Sequence, residues 1–124
     1  MTDNDKKQSL FLQGVDLFNK KDFYDAHEYW EELWLEYHLD DKKFIQALIQ
    51  LTVAYYHLST GNTKGALSLF NKSLDKMKLF SPSNRGIDVK QIIDSIYKSI
   101  DMINSNEKFN WNIVPVLEMQ NKSR

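Results

Sequence analysis

Apolar residues recur along most of this chain at spacings of three and four. That period gathers them on one side of a helix turning by about 100° per residue. Leu10, Phe11, Gly14, Val15, Leu17 and Phe18 predict a first amphipathic segment. Lys20-Lys21-Asp22 predicts a turn, with the Asp22 carboxylate placed to accept the free first-turn amides of a second helix running to about His38. On that helix Phe23, Ala26, Trp30, Leu33, Trp34 and Tyr37 share a face. Asp40-Asp41 predicts the start and cap of a third helix, roughly Asp41 to Thr60. Gly61-Asn62 then ends it and opens a fourth, glycine suiting the residue just past a helix and asparagine the next cap. The fourth turns Ala66, Leu69, Phe70, Leu74 and Met77 inward and stops before Ser81-Pro82-Ser83. Val89, Ile92, Ile93, Ile96, Ile100 and Ile103 make the stripe of a fifth, where spacing outweighs the preference of β-branched residues for strand. Periodicity fades from Ser105. Trp111, Ile113, Val114, Val116 and Leu117 are nevertheless too apolar for a free tail, and part of that segment is expected to dock.

A shift of forty residues lays Asp22, Ala26, Trp30 and Trp34 over Asn62, Ala66, Phe70 and Leu74, and the Lys21 turn over Gly61. Each half reads as helix, tight polar turn, then helix with a small residue at the crossing. The expectation is an all-α fold, a compact bundle of about five helices built from two helical hairpins plus a C-terminal helix. Two units without a longer array predict a bundle instead of a solenoid. Residues 1–124 are expected to form a single helical domain, with 1–8 and 120–124 flexible.

Composition narrows the function classes. A content of 42% hydrophobic residues fits a globular chain. Sixteen basic against seventeen acidic residues leave a net charge of −1, so no global field favours nucleic acid or an anionic membrane. Lys72, Lys76 and Lys78 form a local basic strip, read as a solvated helix face. The absence of cysteine excludes disulfides and thiol catalysis and is compatible with a reducing cytoplasm, the expected location. The longest apolar run, Phe44 to Leu58, holds Gln46, Gln50 and His57 and falls short of the ~20 residues that span a bilayer, so it reads as a buried helix.

Candidate chemistry concentrates on the second and third segments. His27 and Glu31 line the edge of the second helix's aromatic stripe, and Gln46, Gln50 and His57 form a polar seam on the third. Antiparallel packing of these helices would bring the two columns together in a binding pocket of His27, Glu31, Trp34, Gln46, Gln50 and His57. The other reading places the seam in water, as the wet side of a surface helix. His27-Glu28-x-x-Glu31 invites comparison with the zinc-protease helix, in which two histidines one turn apart hold the ion and the glutamate between them acts as base. On that comparison His27, Glu31 and His57 would hold a divalent transition metal, zinc, iron or manganese, and Glu28 would be the catalytic base. The plainer reading of His27 and Glu31 is a side-chain hydrogen bond across one helical turn. Glu28, Glu32 and Glu36 read as an acidic outer face, and Glu28 points away from the ligand face on an ideal helix. No phosphate-binding glycine loop or nucleophile elbow is present.

The chain also resembles a family of small, all-helical bacterial and archaeal proteins known as domain of unknown function number three hundred and nine. The resemblance rests on Gly14-Val15-x-Leu17-Phe18-Asn19, Phe23-x-x-Ala26-His27-Glu28-x-x-Glu31-x-x-Trp34 and Phe44-x-Gln46-x-x-Ile49-Gln50. It continues through Tyr56-His57, Gly61-Asn62-x-x-Gly65-Ala66 and Gly86-Ile87-Asp88-Val89, covering roughly residues 10 to 100 in matching order. It implies a helical bundle and marks His27, Glu28, Glu31, Trp34, Gln46, Gln50 and His57 as the polar and aromatic signature. It implies no reaction. Ala47 stands where the family usually has glycine, which implies a slightly looser helix contact there.

Three functions are compatible with these residues. The first is a non-enzymatic module that binds a protein partner or self-associates, with neither nucleic acid nor membrane as its target. The second is a small metal-dependent hydrolase using the His/Glu/His site. In the third, His27, Glu31, Gln46, Gln50 and His57 form only a buried hydrogen-bond network that fixes helix register.

Overall fold

The computed structural model describes residues 1–119; the tip at 120–124, expected to be flexible, lies outside the described residues. Five helices account for most of the chain: α1 (Asp3–Asn19), α2 (Phe23–Glu36), α3 (Lys42–Ser59), α4 (Thr63–Met77) and α5 (Val89–Asn104). The fold is an all-α bundle in which consecutive helices pack against one another, α1 on α2, α2 on α3, α3 on α4 and α4 on α5. Two-residue strands β1 (Ser83–Asn84) and β2 (Ile87–Asp88) pair antiparallel between α4 and α5.

The first helix begins earlier than the apolar spacing alone predicts. The Thr2 hydroxyl accepts the Asp5 amide at 3.1 Å and the Asp5 carboxylate accepts the Thr2 amide at 3.2 Å. This reciprocal cap satisfies two free donors and starts the helix at Asp3, within the stretch expected to be flexible. The second helix ends slightly early. Tyr37 is already extended and His38 lies outside the helix.

The forty-residue echo is a repeat of backbone geometry. At the end of α1 the Lys21 amide donates to the Phe18 carbonyl at 2.9 Å and the Asp22 amide to the Leu17 carbonyl at 2.9 Å. At the end of α3 the Gly61 amide donates to Leu58 at 3.2 Å and the Asn62 amide to His57 at 2.8 Å. Both are Schellman closures, with Lys21 at φ 62° and Gly61 at φ 85° in the left-handed position that the motif needs. Asp22 and Asn62 then cap the next helix, accepting from the Asp25 and Gly65 amides. Ala26 and Ala66, and Trp30 and Phe70 one turn further on, are all fully buried. The two hairpins are built to one plan.

Asp41 departs from its expected role. It occupies the residue before α3, but its side chain makes no cap bond. Its carboxylate instead receives Arg85 at 2.6 and 2.9 Å and Asn84 Nδ2 at 2.9 Å. Burial pushes that carboxyl up, and the bonds from Arg85 and Asn84 outweigh it, holding Asp41 below the usual carboxylate value. Arg85 also lies 4.7 Å from the centre of the Phe11 ring. The two-residue loop Arg85-Gly86, both at positive φ, aims the guanidinium back across the bundle. Asp88 caps α5, its carboxylate accepting the Gln91 amide at 3.0 Å. The tail docks as well: Asn19 donates to the Leu117 carbonyl at 3.0 Å and accepts its amide at 2.7 Å. Where α3 meets α4, Ser73 donates to the Ala47 carbonyl at 2.7 Å and Ala47 is fully buried, so this crossing is close despite the alanine.

Candidate functional site

The antiparallel α2–α3 hairpin brings the first turn of α2 beside the last turns of α3. A recess of about 170 Å³ forms there, lined by Phe23, Tyr24, His27, Val53, Tyr56 and His57, and its lining is almost wholly apolar. A wider depression of about 400 Å³ adjoins it, sharing Phe23, Tyr24 and Tyr56 and adding Trp111 from the docked tail. Tyr24 is 51% exposed and Tyr56 39%, and their rings lie 5.8 Å apart. The Trp111 ring stacks on Phe23 with 6.3 Å between centres.

Local bonds set the tautomers of the two histidines. His27 Nδ1 lies 2.6 Å from the Tyr24 carbonyl oxygen. A carbonyl can only accept, so Nδ1 carries the proton and neutral His27 keeps Nε2 as its acceptor. His57 Nδ1 accepts from Asn62 Nδ2 at 3.4 Å while Asn62 Oδ1 caps α4, which leaves the proton of neutral His57 on Nε2. One imidazole is thus tied to its own helix and the other to the following turn.

The remaining predicted residues are not gathered at this recess. Glu31 is exposed, does not line the recess and makes no hydrogen bond to His27, whose Nδ1 is committed to Tyr24. Among the described residues no three His, Asp or Glu side chains group closely enough to hold a metal ion. His27, Glu31 and His57 are therefore not a three-ligand set, because Glu31 follows His27 by a full turn while α3 runs the opposite way. Glu28 lines a separate depression with Asp25, Tyr29 and Glu32. In that cluster the neighbouring Asp22 charge, with lesser help from burial and Glu28, pushes the Asp25 carboxyl up.

Trp34, Gln46 and Gln50 are half-buried. The Trp34 indole nitrogen and Gln50 Oε1 are enclosed without a hydrogen-bond partner, and the Lys42 amine lies 4.9 Å from the centre of the Trp34 ring. The expected network of His27, Glu31, Gln46, Gln50 and His57 is absent among the described residues: no hydrogen bond joins any two of these side chains. The expected sign of a substitution changes with it. An enclosed acceptor without a partner costs about 1–3 kcal/mol, so Gln50→Leu is expected to leave stability unchanged or raise it by about 1 kcal/mol. A loss above about 1 kcal/mol in urea unfolding would show that Gln50 is bonded after all.

Apolar periodicity does not mark Tyr24 and Tyr56, because it picks out residues that turn inward, and it does not place Trp111 at the recess. Tyr24 and Tyr56 stand off the apolar stripe, each beside a histidine-bearing turn, and Trp111 lies where periodicity has faded.

Residues 11–69 match the DUF309 domain of unknown function. The match runs from Phe11 in α1 to Leu69 in α4, so it spans both helix-turn-helix closures and every lining residue of the small recess. It ends before Gly86-Ile87-Asp88-Val89, and the β-hairpin, α5 and Trp111 lie beyond it. DUF309 carries no assigned reaction in its description. No curated protein matches the chain. Among the described residues no helix is long and apolar enough to cross a membrane.

Proposed function

We propose that this chain is a cytoplasmic protein-interaction module that takes an apolar side chain of a partner segment into the Tyr24–Tyr56 recess. The observation that carries the reading is an apolar recess flanked by two exposed tyrosines. Its volume of about 170 Å³ is below the roughly 300–1,000 Å³ of small-molecule pockets and suits a single anchoring side chain. Tyrosine and tryptophan at a recess edge are the residue types that dominate interface energies. The adjoining depression with Trp111 extends the surface a partner would cover.

What speaks against the hydrolase is the placement of its parts. Glu28 lines another depression, Glu31 stands in solvent, and the apolar recess offers little to polarise a water. The reading can be checked by selecting random peptides against the folded protein and mapping the bound ligand by amide chemical shifts. Selected peptides are expected to share an aromatic or branched apolar anchor, with shifts centred on Tyr24, Val53 and Tyr56. Tyr24→Ala or Tyr56→Ala should then weaken binding by about 2 kcal/mol, while His27→Ala leaves it largely intact. Ligands mapping elsewhere, or binding indifferent to both tyrosines, would remove the recess from consideration.

A further inference from the structure

On the α1 side of α2 the molecule carries a larger groove that shares no lining residue with the Tyr24–Tyr56 recess. It is an open depression of about 600 Å³ along α1 that Tyr29 of α2 also lines, and its lining surface is more apolar than polar although Gln8, Ser9 and Gln13 contribute to it. Leu12, Leu17 and Tyr29 supply the apolar part, and Leu12 is 40% exposed although it is a leucine in mid-helix. Asp5 and Asp16 mark the limits of the groove along α1. Eleven residues separate them, which is about 16 Å or three helical turns. Tyr29 also lines the neighbouring depression with Asp25, Glu28 and Glu32, so an acidic patch of α2 adjoins the groove.

The charges on the two rims are poorly balanced. Asp16 has Lys20 at 3.0 Å, but both partners are about two-thirds exposed and such a pair is weak. Asp25, Glu28 and Glu32 form no ion pair among the described residues. An apolar strip of Leu12, Leu17 and Tyr29, bounded along α1 by Asp5 and Asp16 and adjoined on α2 by Glu28 and Glu32, is complementary to one kind of object. We propose that the α1–α2 groove docks an amphipathic basic helix of a partner protein, its leucine-type residues on Leu12 and Tyr29 and its lysines or arginines facing Asp5, Asp16, Glu28 and Glu32. Helix-in-groove recognition needs this pairing of an apolar stripe with flanking charge. The acidic rims repel nucleic acid and anionic lipid, which removes both as occupants.

The test uses the full chain and three synthetic peptides of eighteen residues: a leucine–lysine helix, its leucine–glutamate counterpart, and a scrambled leucine–lysine sequence without the helical stripe. The leucine–lysine helix is expected to bind at least about tenfold more tightly than either control and to weaken with added salt. Amide shifts should map to Leu12, Asp16 and Tyr29. The paired substitution Glu28→Lys/Glu32→Lys should reduce affinity by about tenfold or more, and Leu12→Asn should weaken it with charge unchanged. Tyr24→Ala should have no effect, which separates this site from the recess. Equal binding of the helical and scrambled peptides, no effect of the charge reversal, or shifts confined to the Tyr24–Tyr56 recess would each overturn the proposal. Concentration-dependent self-association abolished by Leu12→Asn would overturn it in another way, by assigning the groove to a second copy of the chain.

Discussion

Gly14→Ala is expected to destabilise the protein by about 2–4 kcal/mol, a large effect for one methyl group. A Cβ at residue 14 would lie 2.2 Å from the Trp30 indole nitrogen and 2.4–2.6 Å from two ring carbons. None of these atoms can move aside cheaply. Trp30 is fully buried, and its indole N–H donates to the Phe11 carbonyl of α1 at 3.1 Å. Shifting the ring would break that bond and open the α1–α2 contact. The intrinsic gain from replacing a mid-helix glycine by alanine, about 1 kcal/mol, does not offset this. Urea unfolding measures the loss directly, and a fall in melting temperature of about 10 °C should accompany it. The decisive control is a double-mutant cycle. In a Trp30→Ala background the clash is gone, so alanine at 14 should become neutral or mildly stabilising. If the two substitutions are additive, Gly14 does not owe its place to the indole.

Tyr55→Ala should cost about 3–5 kcal/mol, whereas Tyr55→Phe should cost only about 1 kcal/mol. The ring is fully buried and sits at the junction of both hairpins and the tail, with centroid distances of 6.3 Å to Phe18, 5.6 Å to Phe23, 4.9 Å to Phe70 and 6.2 Å to Phe109. Truncation removes packing for four segments together. The hydroxyl contributes less. Ser99 already donates to the Ser95 carbonyl at 2.8 Å, so it is Tyr55 that donates to Ser99, at 3.0 Å, and phenylalanine leaves only one acceptor site unfilled. Burial pushes the Tyr55 hydroxyl well above the usual tyrosine value. A folded-state value above the unfolded one means that this contribution is intact below about pH 10 and is lost as pH climbs further. Tyr55→Phe should lack that alkaline component. Equal losses for the two variants would mean the hydroxyl, not the ring, holds the junction. Because Phe23 and Trp111 lie against Tyr55, the alanine variant should also loosen the floor of the recess, detectable as a change in Trp111 fluorescence.

Local chemistry made much of the bundle readable. Spacing located all five helices because an apolar stripe has one period and needs one burial direction. Asp22 and Asn62 were recognisable as caps because a short acceptor before a helix meets amides that no intrahelical carbonyl can reach. Asp41 obeyed position but not role, since a salt bridge from Arg85, distant in sequence, claims its carboxylate. The start of α1 was missed for the opposite reason: the Thr2–Asp5 box is made by polar residues that periodicity ignores. The site followed the same division. His27 and His57 do share a recess, but Glu31 does not join them, and the tyrosines that shape the opening were outside the inward-facing set.

By itself the sequence determined the number of helices, most of their boundaries, the doubled hairpin and many residues of the core, because each of these follows from contacts within a few residues or from one repeating period. Tertiary structure alone decided which polar side chains meet. A helix face spans about a third of the circumference, and the offset between antiparallel α2 and α3 leaves Glu31 outside the recess that His27 and His57 share while joining Tyr24 to Tyr56. It also decided that Arg85 reaches Asp41, that Asn19 clamps Leu117, and that Gly14 leaves room for an indole. Those partners lie between sixteen and ninety-eight residues apart along the chain, and only the packed bundle brings them into contact.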